Sequence, residues 1–313
     1  MPTKIFRAVI LFVFVLCGPA YGQAENEWPI HNPEPSLPVP SGAIDPQALC
    51  GTQEQFIHVE KYDGSRGVEK PYAIDNAPST VLFRWKSAKK IQDALPGFSA
   101  GNVADQNWCT GTLIDEDIVL TAAHCFKAKF SYNPQKWTTP FTYDEDGEIL
   151  SAQSKELALL MTVEFNHQLN GTTDTLRQTT SFPIISLEEK NHEGEIDYAI
   201  VRLGAGVDAK PAGEHFKKAM YNSRAVTKGE TLAIIQHPDG RPKQIDAGTA
   251  HDINDKNVWY DNIDTLGGSS GSGVRDKDGI VVAVHTNGGC DSHFNANRAI
   301  PLSAIAPLSK FID

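Results

Sequence analysis

Residues 264–274 read Asp264-Thr265-Leu266-Gly267-Gly268-Ser269-Ser270-Gly271-Ser272-Gly273-Val274 and place three serines among four glycines. Glycine permits positive φ angles and close backbone approach, so such a loop can direct successive N–H groups at one point. A serine held there could attack a carbonyl carbon while the amides stabilise the oxyanion that forms. Most segments rich in Gly and Ser are only flexible turns. The rest of the chain must therefore supply the partners that a nucleophilic serine needs.

The size and charge of the chain limit its partners. It has 313 residues and a formal net charge of −11, and this length allows one large or two medium domains. The excess of acidic residues argues against nucleic acid or an anionic membrane surface as a partner. We therefore expect a soluble globular protein, and we expect it to be a monomer.

The N-terminus has the pattern of an export signal. Lys4 and Arg7 precede an apolar run over residues 8–16, and several small residues follow that run. This order predicts a signal peptide over residues 1–24 with cleavage before Glu25, although a second small-residue site ends two residues earlier. The apolar run is too short to span a membrane comfortably. The sequence therefore predicts a secreted or periplasmic protein with no membrane partner.

The cysteines favour the same location. Removal of the signal takes Cys17 away and leaves Cys50, Cys109, Cys125 and Cys290. An even number of cysteines in an exported chain predicts two disulfides, and four cysteines allow three pairings. Cys109 and Cys125 flank a hairpin-like segment, so we predict that these two pair and that Cys50 pairs with Cys290.

No metal site is expected. The alternative to two disulfides is a zinc site, but the chain has no Cys-x-x-Cys pair. The acidic cluster at residues 144–148 lacks the spacing and the distal Glu of an EF-hand, so we interpret it as a solvated turn.

The chain changes character at about residue 79. Residues 25–46 are rich in Pro, Asn, Glu and Ser, which predicts that residues 25–78 form a leader or propeptide and an N-terminal extension. From residue 79 onward, short β-type runs alternate with Gly, Asp and Pro turns, as in an all-β barrel or sandwich. The clearest helix pattern is C-terminal, at about residues 303–313. A stretch rich in Gly, Ala and Pro at residues 204–213 predicts a linker between two halves.

Two residues are candidate partners for the serine, which needs a base that a carboxylate orients. Among the ten histidines, His124 stands apart because it follows a strand-like run and directly precedes Cys125. Asp197 stands at the entry to the apolar run 198–203, where a carboxylate is costly unless it is paired.

Three motifs together resemble the chymotrypsin-fold, or trypsin-like, serine proteases. They are Cys109-Thr110-Gly111-Thr112-Leu113-Ile114 with Thr121-Ala122-Ala123-His124-Cys125, then Asp197-Tyr198-Ala199-Ile200-Val201-Arg202-Leu203, then Gly267-Gly268-Ser269-Ser270-Gly271-Ser272. The order His, Asp, Ser agrees with that fold, and the Gly-Ser-Ser-Gly-Ser form resembles the bacterial glutamyl endopeptidase branch.

The resemblance covers about residues 79–313 and implies an all-β fold with two six-stranded antiparallel β-barrels. The first barrel would span about residues 79–203 and the second about 214–302. A short C-terminal helix would follow at about 303–313, and the active site would lie in the cleft between the barrels.

The resemblance also implies the roles of individual residues. Ser270 would be the nucleophile, His124 the general base and then acid, and Asp197 the group that orients His124. The backbone N–H groups of Gly268 and Ser270 would form the oxyanion hole. Ser269 stands where trypsins carry the aspartate that binds a freed N-terminus, so activation through that salt bridge is not expected. We therefore expect a secreted serine endopeptidase, made as a zymogen, that needs no cofactor and acts on proteins or peptides.

Three residues bear on the substrate side chain that the cleft accepts. Thr265 and His285 match the threonine and histidine that bind the substrate carboxylate in glutamyl endopeptidases, and both can donate hydrogen bonds to an acid. Asp264 stands where trypsins place the acid that binds Arg or Lys, although some glutamyl endopeptidases share it. We expect cleavage after Glu, with Asp second, and the alternative is cleavage after Arg or Lys.

Two other functions compete with this interpretation. Residues 267–271 match the Gly-x-Ser-x-Gly elbow of another hydrolase fold with Ser269 as nucleophile, but that fold needs an acid and a histidine further along a β-α alternating chain. The other alternative is a protein that keeps the protease fold for binding alone.

Overall fold

In the computed structural model, residues 49–313 are described except for residues 134, 135 and 291–294. The predicted signal peptide and the leader up to residue 48 lie outside the described residues. The strands are β1 Ile57–His58, β2 Thr80–Trp85, β3 Asn107–Leu113, β4 Ile118–Thr121, β5 Phe141–Tyr143, β6 Ile149–Ser151, β7 Met161–Phe165, β8 Thr180–Asn191, β9 Tyr198–Leu203, β10 Thr231–Gln236, β11 Gln244–Thr249, β12 Asp252–Ile253, β13 Val258–Tyr260, β14 Gly273–Asp276, β15 Val281–Asn287 and β16 Asn297–Pro301. The helices are α1 Lys70–Asn76, α2 Ala88–Ala94, α3 Ser154–Leu159 and α4 Leu302–Ile305.

The first β unit is a closed six-stranded barrel in the order β2-β3-β4-β9-β8-β7, with antiparallel neighbours. Its interior is filled by apolar side chains that include the buried Phe83 and Phe126, whose rings meet edge to face. Thr121 at the end of β4 pairs with Ala199 near the start of β9. The chain that leaves β4 and the chain that enters β9 therefore lie at the same end of the barrel wall.

The second β unit is an eight-stranded sheet in the order β1-β11-β10-β14-β15-β16-β13-β12. Six of these strands are three or more residues long, and β1 and β12 add two residues each at the edges. Residues 261–272 connect β13 to β14, so the stretch that holds the three serines lies between two strands of this sheet.

The prediction of an all-β fold with a short C-terminal helix is confirmed, and the first predicted barrel is a closed six-stranded barrel. The second β unit is an eight-stranded sheet and not the predicted six-stranded barrel, because the two-residue strands β1 and β12 add to its edges, and β1 comes from before residue 79. The C-terminal helix is shorter than expected, since α4 ends at Ile305 and a 3₁₀ turn, Ala306–Leu308, follows. Pro307 accounts for the change, because a proline has no backbone N–H to donate to the carbonyl four residues earlier. The sequence patterns also missed α1, α2 and α3, which are only six or seven residues long and too short for an apolar periodicity to stand out.

Two disulfides join Cys109 to Cys125 and Cys50 to Cys290, which is the predicted pairing. The first joins Cys109 in β3 to Cys125 just after β4, and a loop of that length contributes roughly 3 kcal/mol in the chain-entropy model. The second fastens the start of the described chain to the second sheet. Across the described residues, no helix is both long enough and apolar enough to cross a membrane.

Candidate active site

His124 and Asp197 meet at the end of the barrel wall formed by β4 and β9. His124 lies in a 3₁₀ turn, Ala123–Phe126, that begins two residues after β4, and Asp197 directly precedes β9. His124 Nδ1 lies 2.6 Å from Asp197 Oδ2, and the His124 backbone N–H donates to Oδ1 at 3.1 Å. Cys125, the next residue of the turn, is joined to Cys109 of β3 by a disulfide. The Asp197 carboxylate therefore fixes the position of both the ring and the backbone of His124.

Asp197 is held as a carboxylate despite its burial. Only 5% of the residue is exposed, and this burial by itself favours the neutral acid. Burial is the largest single influence, but the hydrogen bonds from the His124 ring and backbone together with the charge of His124 outweigh it, so the pKa of Asp197 lies below its ordinary value. A second imidazole contributes in the same direction, since His192 Nδ1 lies 3.5 Å from Asp197 Oδ1. The sequence analysis missed His192, because a histidine in a polar turn carries no local signal of its partner.

The three serines of residues 264–274 have different environments. Ser269 is fully buried, and its hydroxyl accepts a hydrogen bond from the Leu266 N–H at 3.1 Å. Ser272 is also fully buried, and its hydroxyl donates to the Ser269 carbonyl at 2.6 Å. Ser270, in contrast, is partly exposed. Of the three, Ser270 is the one that a substrate can reach.

The backbone N–H groups of residues 268–271 alternate between those without and those with a hydrogen-bond acceptor among the described residues. The Ser269 N–H donates to the Leu266 carbonyl at 3.0 Å, and the Gly271 N–H donates to the His285 carbonyl at 2.8 Å. Among the described residues, neither the Gly268 N–H nor the Ser270 N–H has an acceptor. Gly268 has φ of 90°, which favours glycine. Two amides on either side of Ser269 are therefore available to a ligand.

Residues 264–274, here called the serine loop, pack against β3 of the barrel. The Thr110 N–H donates to the Ser270 carbonyl at 2.9 Å, and the Thr110 hydroxyl donates to the Gly268 carbonyl at 2.8 Å. Gly271, with φ of 89°, lies so close to Thr110 and Thr121 that a Cβ atom would collide with both. Thr110 belongs to the predicted strand motif, but its role in carrying the loop follows only from the tertiary contact.

Thr265 and His285 are both buried near this loop. Thr265 is fully buried, and among the described residues its hydroxyl has no hydrogen-bond partner. His285 Nδ1 forms a short hydrogen bond with the Tyr260 hydroxyl. Burial lowers the pKa of His285 to about 3, so its imidazole is neutral. The buried hydroxyl of Thr265 has lost its hydration without a replacement, which is unusual for a polar group inside a protein.

Asp264 is engaged by a distant part of the chain. Its Oδ1 accepts from the Cys50 N–H at 2.8 Å, and its Oδ2 accepts from the Gln55 N–H at 2.9 Å. Its own N–H donates to Asp246 Oδ2 at 2.7 Å, and the residue is 1% exposed. Both carboxylate oxygens are therefore already hydrogen-bonded to backbone.

The geometry thus gathers His124 with Asp197 on one β unit and the serine loop on the other. No group of acidic, histidine or cysteine side chains in the described residues has the arrangement of a metal site.

Comparison with known proteins points to a single family. A family model of the trypsin-like peptidase domain matches residues 109–284. No curated protein gives a significant match. Among solved structures, a Glu endopeptidase in complex with MPD matches with 18% sequence identity and a TM-score of 0.47, over 75% of this chain and 89% of that one.

Proposed function

The chain belongs to the family of trypsin-like peptidases and is a serine endopeptidase, and on that premise we propose that Ser270, His124 and Asp197 are its catalytic triad. The observation that carries the proposal is the 2.6 Å contact between His124 Nδ1 and Asp197 Oδ2. A histidine whose Nδ1 donates to a buried carboxylate presents Nε2 as the basic nitrogen. The partial exposure of Ser270 supports its place as the nucleophile, as do its own N–H and that of Gly268, which have no acceptor among the described residues.

The proposed reaction assigns one step to each of these groups. His124 Nε2 takes the proton of the Ser270 hydroxyl as its oxygen attacks the scissile carbonyl carbon. The Gly268 and Ser270 amides then donate to the oxyanion of the tetrahedral intermediate. The imidazolium, stabilised by the Asp197 carboxylate, returns the proton to the leaving amine, and an acyl-enzyme on Ser270 remains. Water repeats the sequence and frees the second product.

The proposed preference is for Glu before the scissile bond, with Asp second. Thr265 supports it because its buried hydroxyl, which has no partner in the part of the chain that the structure describes, can donate to a substrate carboxylate. His285 supports it because a neutral ring that accepts at Nδ1 carries its proton on Nε2 and can donate there. An acidic side chain would give the Thr265 hydroxyl an acceptor, and a buried hydroxyl is costly to leave unpaired.

The alternative, cleavage after Arg or Lys, requires the Asp264 carboxylate to face the substrate. Instead, the Cys50 and Gln55 amides bind both of its oxygens. A substrate cation would have to displace these two hydrogen bonds, and this weighs against the alternative.

The two disulfides indicate an extracellular or periplasmic protein. We propose that residues 1–24 direct export and are removed, and that the following leader delays activity until the protein has left the cell.

Replacement of single serines tests the proposed triad. Ser270→Ala should lower kcat on a Glu peptide on the order of 10⁴-fold or more while the protein stays folded. Ser269→Ala is the matched control, because that buried hydroxyl only accepts from Leu266, and it should retain most activity. A fluorophosphonate should label the wild type at Ser270. If the wild type cleaves no peptide and takes no label, the protein is a binding protein. If Ser269→Ala is inactive and Ser270→Ala is active, Ser269 is the nucleophile.

A further inference from the structure

A short segment far away in sequence lies against the start of the serine loop. Residues 50–56, here called the clasp segment, precede β1 and are fastened to the second sheet by the Cys50–Cys290 disulfide. Immediately after the clasp segment, β1 pairs with β11, with Ile57 opposite Ile245. The segment is thus held at both of its ends.

The first contact of the clasp segment is with Asp264. The Cys50 and Gln55 amides each donate to one oxygen of its carboxylate. The backbone of Asp264 is equally fixed, since its N–H donates to Asp246 and its carbonyl accepts from Gln236 Nε2 at 2.8 Å. Every polar group of Asp264 is therefore engaged at the residue where the serine loop begins, six residues before Ser270.

The second contact is with Arg241, in the turn after β10. The Arg241 guanidinium forms a bidentate ion pair with Glu54, at 2.9 and 3.2 Å, and lies over the ring of Phe56. The same turn contacts the serine loop, because the Asp239 N–H donates to the Gly267 carbonyl at 2.5 Å. In addition, a Cβ atom on Gly268 would lie only 2.7 Å from the His237 carbonyl oxygen. The clasp segment thus reaches the loop directly through Asp264 and indirectly through this turn.

We propose that the clasp segment positions the serine loop for catalysis, and that Asp264 and Arg241 are the positioning residues through which it acts. This proposal rests on the proposed function, which places the nucleophile and the oxyanion-hole amides on the serine loop. The Gly268 and Ser270 amides stabilise an oxyanion only if the loop is held in place, and small displacements of such groups are costly in rate. The Cys50–Cys290 disulfide is then part of the catalytic apparatus, and Asp264 does not bind the substrate.

The experiment measures kcat per active site on peptides that differ only in the residue before the scissile bond. A fluorophosphonate titration of Ser270 counts the active sites, so loss of folded protein does not count as loss of rate. Asp264→Asn should lower kcat about 10- to 100-fold on Glu, Gln and Arg peptides alike. Cys50→Ser with Cys290→Ser should give the same uniform loss. Combining both changes should add little further, because they disrupt one shared contact.

Two further variants keep the test decisive. Glu54→Gln changes an exposed residue that will not prevent folding, and it should lower kcat about 2- to 5-fold for every peptide. Asp261→Asn, in the same connection but with a half-exposed side chain that pairs with His251, should leave kcat unchanged.

Two results would overturn the proposal. A loss with Asp264→Asn that is confined to Arg and Lys peptides would make Asp264 a substrate-binding residue. An unchanged kcat per titrated site in Asp264→Asn and Glu54→Gln would leave the clasp segment a role in stability only. Failure of the proposed function would look different, because the wild type would then take no label at Ser270.

Discussion

Asp197 and Asp264 are buried aspartates of similar exposure, 5% and 1%, but their surroundings differ. Asp197 lies at the end of the barrel wall, and its strongest partner is the ring of His124, a group that can exchange a proton. Asp264 lies on the second sheet, and its carboxylate is bound by two backbone amides, which cannot exchange protons in this way. A buried carboxylate thus takes its role from its donors. Under the proposed function, the imidazole partner gives Asp197 a role in catalysis, and the amide partners give Asp264 a role in holding the structure.

Asp197→Asn should have the largest effect. The amide side chain can donate to Nδ1, which places the ring proton on Nε2 and removes the base that Ser270 needs. We expect kcat to fall about 10⁴-fold with little change in KM. Single-turnover kinetics on a Glu peptide would measure this loss.

His192→Gln is the matched control for that experiment. Its Nδ1 lies 3.5 Å from Asp197 Oδ1, and its side chain is 42% exposed, so the interaction is weak. We expect a change in kcat of less than about 5-fold. Equal losses in the two variants would mean that Asp197 acts through the charge of the whole cluster and not through His124.

Thr265→Val tests the second of these two environments, because Thr265 directly follows Asp264 in the chain. Valine has the shape of threonine without the hydroxyl, so the change removes a buried polar atom that has no partner among the described residues. We expect the variant to be more stable by about 1 kcal/mol and to cleave after Glu about 10- to 150-fold less well, since a hydrogen bond to a charged group is worth about 1.5–3 kcal/mol. Thermal unfolding and kcat/KM on Glu and Ala peptides would measure the two effects. A less stable variant with an intact Glu preference would show that Thr265 has a structural role only.

His124, Asp197 and the serine loop could be picked out as site candidates from the sequence, because each carries a local signal such as a strand end or a glycine cluster. The two β units were predictable for the same reason, since their strands are short apolar runs between turns. The surroundings of Asp264 were not, because its donors are more than two hundred residues away and are backbone amides, which every residue has. The same holds for Thr110, whose contact with the serine loop follows from the packing of one β unit on the other.

The pH dependence of stability should separate the two carboxylate environments once more. Asp246, next to Asp264, is fully buried, its Oδ1 accepts from Arg66 Nε at 2.8 Å, and burial raises its pKa to about 6. Folded protein therefore binds this proton more tightly than unfolded protein, so the stability that Asp246 contributes is complete below about pH 4 and is lost as pH rises through 6. Asp197, with its lowered pKa, works in the opposite direction: the stability that it contributes is complete above about pH 4 and is lost as pH falls below that value.

Asp246→Asn removes this dependence and keeps an oxygen that can accept from Asp264. Its unfolding free energy relative to the parent should therefore improve between pH 4 and pH 8, by on the order of 1–3 kcal/mol. Urea unfolding at one-unit pH steps, with Ser270→Ala in both proteins to prevent self-digestion, would measure the difference. A difference that stays constant across this range would mean that Arg66 and the Asp264 amide keep Asp246 ionised throughout, as His124 does for Asp197. The two carboxylate environments would then differ in their donors but not in their charge.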